Sequence, residues 1–172
     1  HGKEESIVLK YKSSLENQVI TNDYLNKAIL VNDRGNSTVV EQEVFVPNRG
    51  NHLSKADVTG SIAPFLNWEM QINASQSVLE NIKIVDTVDQ HQSYVRDSLQ
   101  VFDAKVYSNG ALERSNVLKE GIDYSINFTT DVGGNESFTP NLHPNGEKRV
   151  DKAYFVTYQV MYSAPENLSG ST

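Results

Sequence analysis

Two stretches of the sequence alternate apolar and polar residues with a period of two. FLNWEMQIN, residues 65–73, places Leu, Trp, Met and Ile at every second position, with Asn, Glu and Gln between them. AYFVTYQVMYS, residues 153–163, repeats the alternation with Tyr and Val. A strand points successive side chains to opposite faces, whereas a helix requires a period near 3.6. Both stretches are therefore predicted to be strands with one face covered and the other face polar.

Shorter segments carry the same signal, and turn residues separate them. The predicted strands lie at 5–13, 24–32, 38–47, 79–87, 97–110 and 123–130. Asn109 and Gly110 form a dipeptide that favours a tight hairpin turn. Helical periodicity is weak throughout. Many short alternating strands joined by turns predict an all-β protein with a β-sandwich architecture.

Composition excludes several classes of function. The 172 residues carry a net charge of −7, and the basic residues are scattered, which argues against nucleic acid or anionic membranes as partners. No apolar run approaches the roughly 18 residues that a membrane span requires, so no membrane insertion is expected. The chain has no cysteine, which removes disulfides, thiol catalysis and cysteine-based zinc sites.

No catalytic or metal-binding motif is readable in the chain. The four histidines share no ligand spacing, and neither an EF-hand loop nor a phosphate-binding loop is present. No nucleophile or acid pair stands out. We therefore expect no enzymatic turnover, no metal and no cofactor.

One carboxylate lies in an unexpected place. Asp86 directly follows the apolar residues Ile82, Ile84 and Val85 in a predicted strand. Such an aspartate either caps a turn at the rim of a sheet or is buried for a chemical purpose. The residues alone leave both readings open. Trp68, on the apolar face of its strand, is expected in the core.

The order of several short motifs resembles a known family. Trp-x-x-x-Ile-Asn at 68–73 is followed by Asn-x-x-Ile-x-Asp-Thr at 81–87, by Asp-Ser-Leu at 97–99 and by the tyrosine-rich strand at 153–163. With Lys55 ahead of them, these motifs are similar to the collagen-adhesin A-type (Cna-like) repeat of Gram-positive, cell-wall-anchored surface adhesins. The resemblance implies an immunoglobulin-like β-sandwich.

The resemblance also implies a domain organisation. Residues 1–47 resemble the end of a preceding module, residues 48–54 a linker, and residues 55–172 an adhesin module without its usual last strand. That last strand carries an Asn-x-Ala pattern in the family, and here the pattern stands instead at residues 26–28, before the module. The extra N-terminal strands are thus expected to complete a sandwich by strand donation or swapping.

A lysine–asparagine isopeptide bond is a further implication of the resemblance. The matching positions are Lys55 as nucleophile, Asp86 as the acid and Asn26 as the amide. Burial in an apolar interior favours the uncharged forms of both the amine and the acid, and fixed geometry makes the attack unimolecular. Because Asn26 precedes Lys55, its strand would fold back or cross to a second copy, giving a strand-swapped homodimer. Otherwise the bond is absent and an open sheet edge remains. On the residues alone, Lys55 reads as a solvated lysine and Asn26 as a strand-face asparagine.

The implied function is adhesion outside the cell. The expected partners are a host extracellular matrix protein such as collagen and neighbouring repeats of the same protein, with cell-wall anchoring through a part of the protein not present in these residues. Two alternatives remain open at this point. The first is a stalk without a ligand, and the second is a carbohydrate-binding or accessory module of a secreted hydrolase. A groove lined by tyrosine or asparagine would favour ligand binding, whereas exposed coplanar aromatics would favour carbohydrate.

Overall fold

The computed structural model describes residues 7–143 and 147–163. Its strands are β1 (Tyr24–Val31), β2 (Ser37–Val44), β3 (Leu53–Asp57), β4 (Phe65–Ile72), β5 (Leu79–Glu80), β6 (Asp86–Val88), β7 (Gln92–Val106), β8 (Leu112–Val117), β9 (Ser125–Thr130), β10 (Glu136–Asn141), β11 (Arg149–Val150) and β12 (Tyr154–Tyr162). Within these ranges no helix has the length and hydropathy needed to cross a bilayer. The all-β prediction is confirmed.

The larger layer is a five-stranded antiparallel sheet in the order β3-β4-β12-β7-β8. The two strongly alternating stretches are its neighbouring strands β4 and β12. Met70 and Ile72 of β4 and Val156 and Val160 of β12 are almost completely buried, as their alternation predicts. The Asn-Gly turn predicted at 109–110 connects β7 to β8, with Gly110 at a φ of 88°.

The opposite layer is the three-stranded sheet β6-β10-β9, and the short pair β11-β5 lies beside it. Phe138 of β10 is fully buried, and its ring meets Tyr94 and Tyr158 of the larger sheet edge-on, with centroids 5.1 Å apart in both pairs. Burial of apolar side chains between the two faces supplies the main stabilising term of a sandwich. The architecture is thus the expected immunoglobulin-like β-sandwich.

The N-terminal strands form a separate hairpin. β1 and β2 pair with each other, from Tyr24 opposite Val44 to Val31 opposite Ser37, and every residue of both strands is exposed. Among the described residues neither strand joins a sheet of the sandwich. The strand predicted at 5–13 is wrong over its described part, 7–13, which pairs with no neighbour; its first two residues lie outside the described range. An alternating sequence forms a strand only where a partner satisfies its backbone.

A hydrogen-bonded joint attaches this N-terminal part to the sandwich. The turn Asn73–Ser77 follows β4 and is buried apart from Gln76. The turn bonds to Ile20 and to the segment that precedes β3, and Val78, directly after the turn, bonds to Gln18. The Asn73 carboxamide donates to the carbonyls of Ser77 and Lys152 at 2.8 and 3.1 Å. The joint therefore holds two chain segments against the end of the larger sheet.

The sandwich is open along the side where β3 and β6 lie. β3 pairs only with β4, and β6 pairs only with β10, so each is an edge of its own sheet within the described chain. Unpaired backbone groups on such edges can accept an additional strand. The two predicted residues Lys55 and Asp86 lie on these edges, one on each sheet.

Candidate functional site

Lys55 and Asp86 form an ion pair that bridges the two sheet edges. Lys55 lies opposite Met70 in the β3–β4 register, on the strand face that looks toward the core. Asp86 begins β6 opposite Phe138. The distance from Lys55 Nζ to Asp86 Oδ1 is 2.7 Å, and the two side chains are 32% and 8% exposed. The aspartate is thus buried, and the lysine remains reachable from the open side.

Two tyrosines complete the environment of the Asp86 carboxylate. The hydroxyls of Tyr94 and Tyr158 each donate to Oδ2 at 2.8 Å. Burial is the main cause of a raised pKa of both phenols, and the adjacent Asp86 charge raises each pKa further. The two phenols therefore stay protonated and act as fixed donors at neutral pH.

Aromatic rings also surround the Lys55 amine. Nζ lies 4.6 Å from the ring centroid of Trp68 and 5.4 Å from that of Tyr158. Both distances suit cation–π attraction, which adds to the ion pair with Asp86. Trp68 packs against the core as expected, and it also forms one wall around the amine.

Asn26 lies elsewhere. It stands opposite Gln42 on the exposed hairpin, and its side-chain amide donates to the hydroxyl of Tyr11. No hydrogen bond within the described residues joins it to Lys55 or Asp86. The structure thus brings together two of the three predicted side chains and leaves the third apart.

A groove of about 420 Å³ crosses the larger sheet. It is lined by Val58, Asn67, Trp68, Asp97, Ser98, Gln100, Arg114, Thr157, Tyr158 and Gln159. The carboxamide of Gln159 donates to Asn67 Oδ1 at 2.9 Å, and the backbone N–H of Gln159 donates to Ser98 Oγ at 2.8 Å. These bonds fix the side chains of Asn67, Gln159 and Ser98. The polar surface of the groove comes from residues of β4, β7, β8 and β12.

Arg114 forms one wall of this groove. Its Nε donates to Glu69 Oε2 at 3.0 Å, and its guanidinium lies 5.4 Å from the Phe102 ring and 6.0 Å from the Phe155 ring. Ion pairing and stacking together hold the planar side chain in place. The groove therefore has a rigid cationic wall whose charge is partly balanced by Glu69.

Sequence reasoning missed Tyr94 and the groove. No sequence motif marks Tyr94, because its hydrogen bond to Asp86 depends on the packing of β7 against β6. The groove had a usable signal in the outward positions of β4 and β12, where Asn67 and Gln159 alternate with core residues. The sequence does not reveal that Asn67 and Gln159 lie opposite each other in the β4–β12 register.

Comparison with family models places this geometry in context. A model described as "Collagen binding domain" matches residues 55–164, which is more than half of the chain. The chain belongs to the collagen-binding domain family. The resemblance read from the motifs is therefore confirmed. No curated protein gave a match. In this collagen-binding domain the Lys55–Asp86 pair and the whole lining of the groove fall within the matched residues.

Proposed function

We propose that this chain is a module of a Gram-positive cell-surface adhesin and that it binds collagen or a similar matrix protein through the groove on the larger sheet. The module works outside the cell, anchored to the wall by a part of the protein outside these residues, and it has no turnover activity. Family membership and the amide-lined groove support the proposal. The groove is the single observation that favours binding over a stalk without a ligand.

The chemistry of the groove suits a collagen triple helix. Collagen chains have a polyproline-II-like backbone with glycine at every third position and solvated carbonyl groups. Asn67, Gln100 and Gln159 offer amide donors for such carbonyls, while Ser98 and Thr157 offer hydroxyls. A rod-shaped ligand also matches a groove that runs across several strands. Asn67 and Gln159, which are already joined by a hydrogen bond, lose little entropy when they bind.

The carbohydrate alternative has less support. Sugar binding would need exposed aromatic rings in one plane. Of the aromatic residues that line the groove, Tyr158 is buried and Trp68 has Lys55 over its ring. Neither offers a free ring face to a sugar.

Binding to immobilised triple-helical collagen, with heat-denatured collagen as the comparison, tests the binding role. The double variant Asn67→Ala/Gln159→Ala removes the central amide pair and should weaken binding by about tenfold or more. Gln42→Ala, an exposed amide on the hairpin, is the matched control and should bind as the wild type does. No binding by the wild type, or equal binding by both variants, would contradict the proposal.

We further propose that Lys55 forms an isopeptide bond with an asparagine, assisted by Asp86. A proton moves from the Lys55 ammonium to Asp86 Oδ1, across the 2.7 Å hydrogen bond, and leaves a neutral amine and a neutral acid. A bond forms between Nζ and the carbonyl carbon of the asparagine side chain, while the acid polarises that carbonyl. The carbon–nitrogen bond of the amide then breaks, and ammonia leaves with one of the Nζ hydrogens.

Asn26 of a second copy is the amide that we propose for this bond. In β1 it shares one strand face with Tyr24, Ala28 and Leu30, and that face carries no charge. Such a strand suits the edge beside β3, because its apolar residues would extend the core while Asn26 meets Lys55. Reciprocal exchange of β1 would give a strand-swapped homodimer. A neighbouring repeat could fill the same edge.

Intact-mass spectrometry of monomer and dimer tests the bond. Each isopeptide bond removes one ammonia, about 17 Da by stoichiometry, and a bond in trans also gives a dimer that resists boiling in detergent. Lys55→Ala and Asn26→Ala should each abolish both signals. Gln42→Ala changes an amide at the position opposite Asn26 and should leave both signals intact. A mass without loss in every species would rule the bond out for this chain.

A further inference from the structure

We infer that Tyr94 and Tyr158 are positioning residues for the proposed cross-link. Their hydroxyls occupy Oδ2 of Asp86, which leaves Oδ1 as the oxygen that exchanges a proton with Lys55. This inference depends on the cross-link proposed above, and it adds two residues and a defined role to it.

The geometry around the carboxylate is asymmetric. Both tyrosine hydroxyls donate to Oδ2 at 2.8 Å, and Lys55 donates to Oδ1 at 2.7 Å. Tyr94 comes from β7 and Tyr158 from β12, while Asp86 belongs to the opposite sheet. Three strands thus converge on one carboxylate and give its two oxygens different partners.

Packing prevents the phenols from moving away. Tyr94 is 7% exposed and Tyr158 is 2% exposed. Phe138 meets both rings edge-on at interplanar angles of 79° and 78°, and the two tyrosine rings lie 5.8 Å apart. Phe128 closes the cluster at 5.9 Å from Tyr94. Close packing holds the rings in one arrangement, and this fixes the positions of the two tyrosine hydroxyls.

This arrangement has a chemical consequence. A carboxyl that is free to rotate presents either oxygen to a neighbour, and half of its orientations turn the proton away from the amide. With two donors on Oδ2, a proton on that oxygen would displace a hydrogen bond, so the proton resides on Oδ1. Oδ1 faces Lys55 and the open edge where an added strand would place its amide.

The phenols also maintain the pair before the reaction. Their two hydrogen bonds to Oδ2 hold the carboxylate in the orientation in which Oδ1 contacts Lys55 Nζ. The amine of Lys55 thus stays in contact with Asp86, with part of its surface in water, until a strand covers it. Tyr94 and Tyr158 are therefore expected to slow random acylation of Lys55 and to speed its reaction with a docked amide.

The test compares Tyr94→Phe and Tyr158→Phe with Tyr154→Phe. Tyr154 is a matched control, because it is buried on the same face of β12 but has no hydrogen bond to Asp86 among those described. One measurement is the rate of the ammonia loss, and the other is the acylation of Lys55 by acetic anhydride, relative to the exposed Lys105. Amide-proton dispersion in NMR spectra verifies that each variant is folded. The two test variants each remove a different hydrogen bond to Asp86, so each tests the inference separately.

We expect both test variants to lose cross-linking rate by about tenfold, as for one orienting hydrogen bond, and to acylate Lys55 severalfold faster. Tyr154→Phe should change neither rate. A structural effect of losing a buried hydroxyl from the core would appear in Tyr154→Phe as well. The inference is overturned if the test variants match Tyr154→Phe in both rates, or if their cross-linking rate is unchanged. Absence of ammonia loss from the wild type would refute the cross-link itself, and acylation would then still decide whether the tyrosines hold Asp86 against Lys55.

Discussion

The backbone N–H of Ile20 donates to the hydroxyl oxygen of Ser77 at 2.8 Å, and this buried bond joins residues 57 positions apart. Beside it, the N–H of Val78 donates to the carbonyl of Gln18 at 2.9 Å. Ile20 is 8% exposed although the rest of its segment lies at the surface. The N-terminal part of the chain is thus fastened to the sandwich by specific polar contacts as well as by one apolar anchor.

Ser77→Ala should lower the free energy of unfolding by about 1–3 kcal/mol, because the buried N–H of Ile20 would lose its acceptor. Urea unfolding monitored by tryptophan fluorescence measures the change. Ser108→Ala, at an exposed site in the β7–β8 turn, is the control and should stay within about 0.5 kcal/mol of the wild type. Equal effects of the two substitutions would show that the Ile20 bond adds no stability.

Asn73 combines two properties that a pair of substitutions can separate. Its φ of 56° lies in the left-handed region, and its side chain makes several buried hydrogen bonds. Asn73→Gly keeps the accessible backbone and loses the side-chain bonds, whereas Asn73→Ala loses both. We expect both variants to be less stable than the wild type, and Ala to be less stable than Gly by about 1 kcal/mol. A Gly variant as stable as the wild type would mean that the bonds contribute nothing net.

Phe138 occupies the centre of the aromatic cluster, and it is the large side chain whose loss should cost most. Phe138→Ala should destabilise the sandwich by about 3–5 kcal/mol through lost burial and the cavity that remains. Phe45→Ala removes a ring that is 65% exposed and should change little. Thermal unfolding followed by circular dichroism compares the two variants. Similar melting temperatures for both would contradict the assigned core.

Alkaline pH should destabilise the fold through its buried tyrosines. Burial raises the pKa of Tyr154 from its ordinary value of 10.0 to about 12, and the pKa values of Tyr94 and Tyr158 are also raised, mainly by burial. The unfolded chain then releases phenolic protons near pH 10 while the folded chain retains them. Stability is complete below pH 10 and falls as the pH rises, between about 10 and 12 for Tyr154.

The measurement for this pH effect is the urea midpoint between pH 8 and 12. Tyr154→Phe removes one of the titrating groups, so its curve should fall less steeply above pH 10 than that of the wild type. Parallel curves for the two proteins would show that Tyr154 is not protected from ionisation in the folded state.

Sequence patterns predicted the features that depend on neighbouring residues. Local backbone preferences determine the turn at Gly110 and the alternating faces of β4 and β12. These features do not depend on which strand is the partner. The same reasoning failed for residues 7–13, because alternation does not reveal whether a partner strand exists. Lys55 and Asp86 were selected by family position, and their contact depends on two sheet edges that meet. The paired tyrosine hydroxyls and the Ile20–Ser77 bond join distant segments, so only the folded arrangement reveals them.

The central place of β12 determines how the module would respond to mechanical tension. β12 is hydrogen-bonded to β4 on one side and to β7 on the other, and both pairings are antiparallel. A pull along its axis would shear two ladders at once, whereas a strand at the margin of a sheet would peel away one bond at a time. An adhesin loaded along this strand by flowing fluid would therefore be expected to yield first at the short marginal strands, including β8 with Arg114, while the part of the groove on β4, β7 and β12 is kept intact for longer.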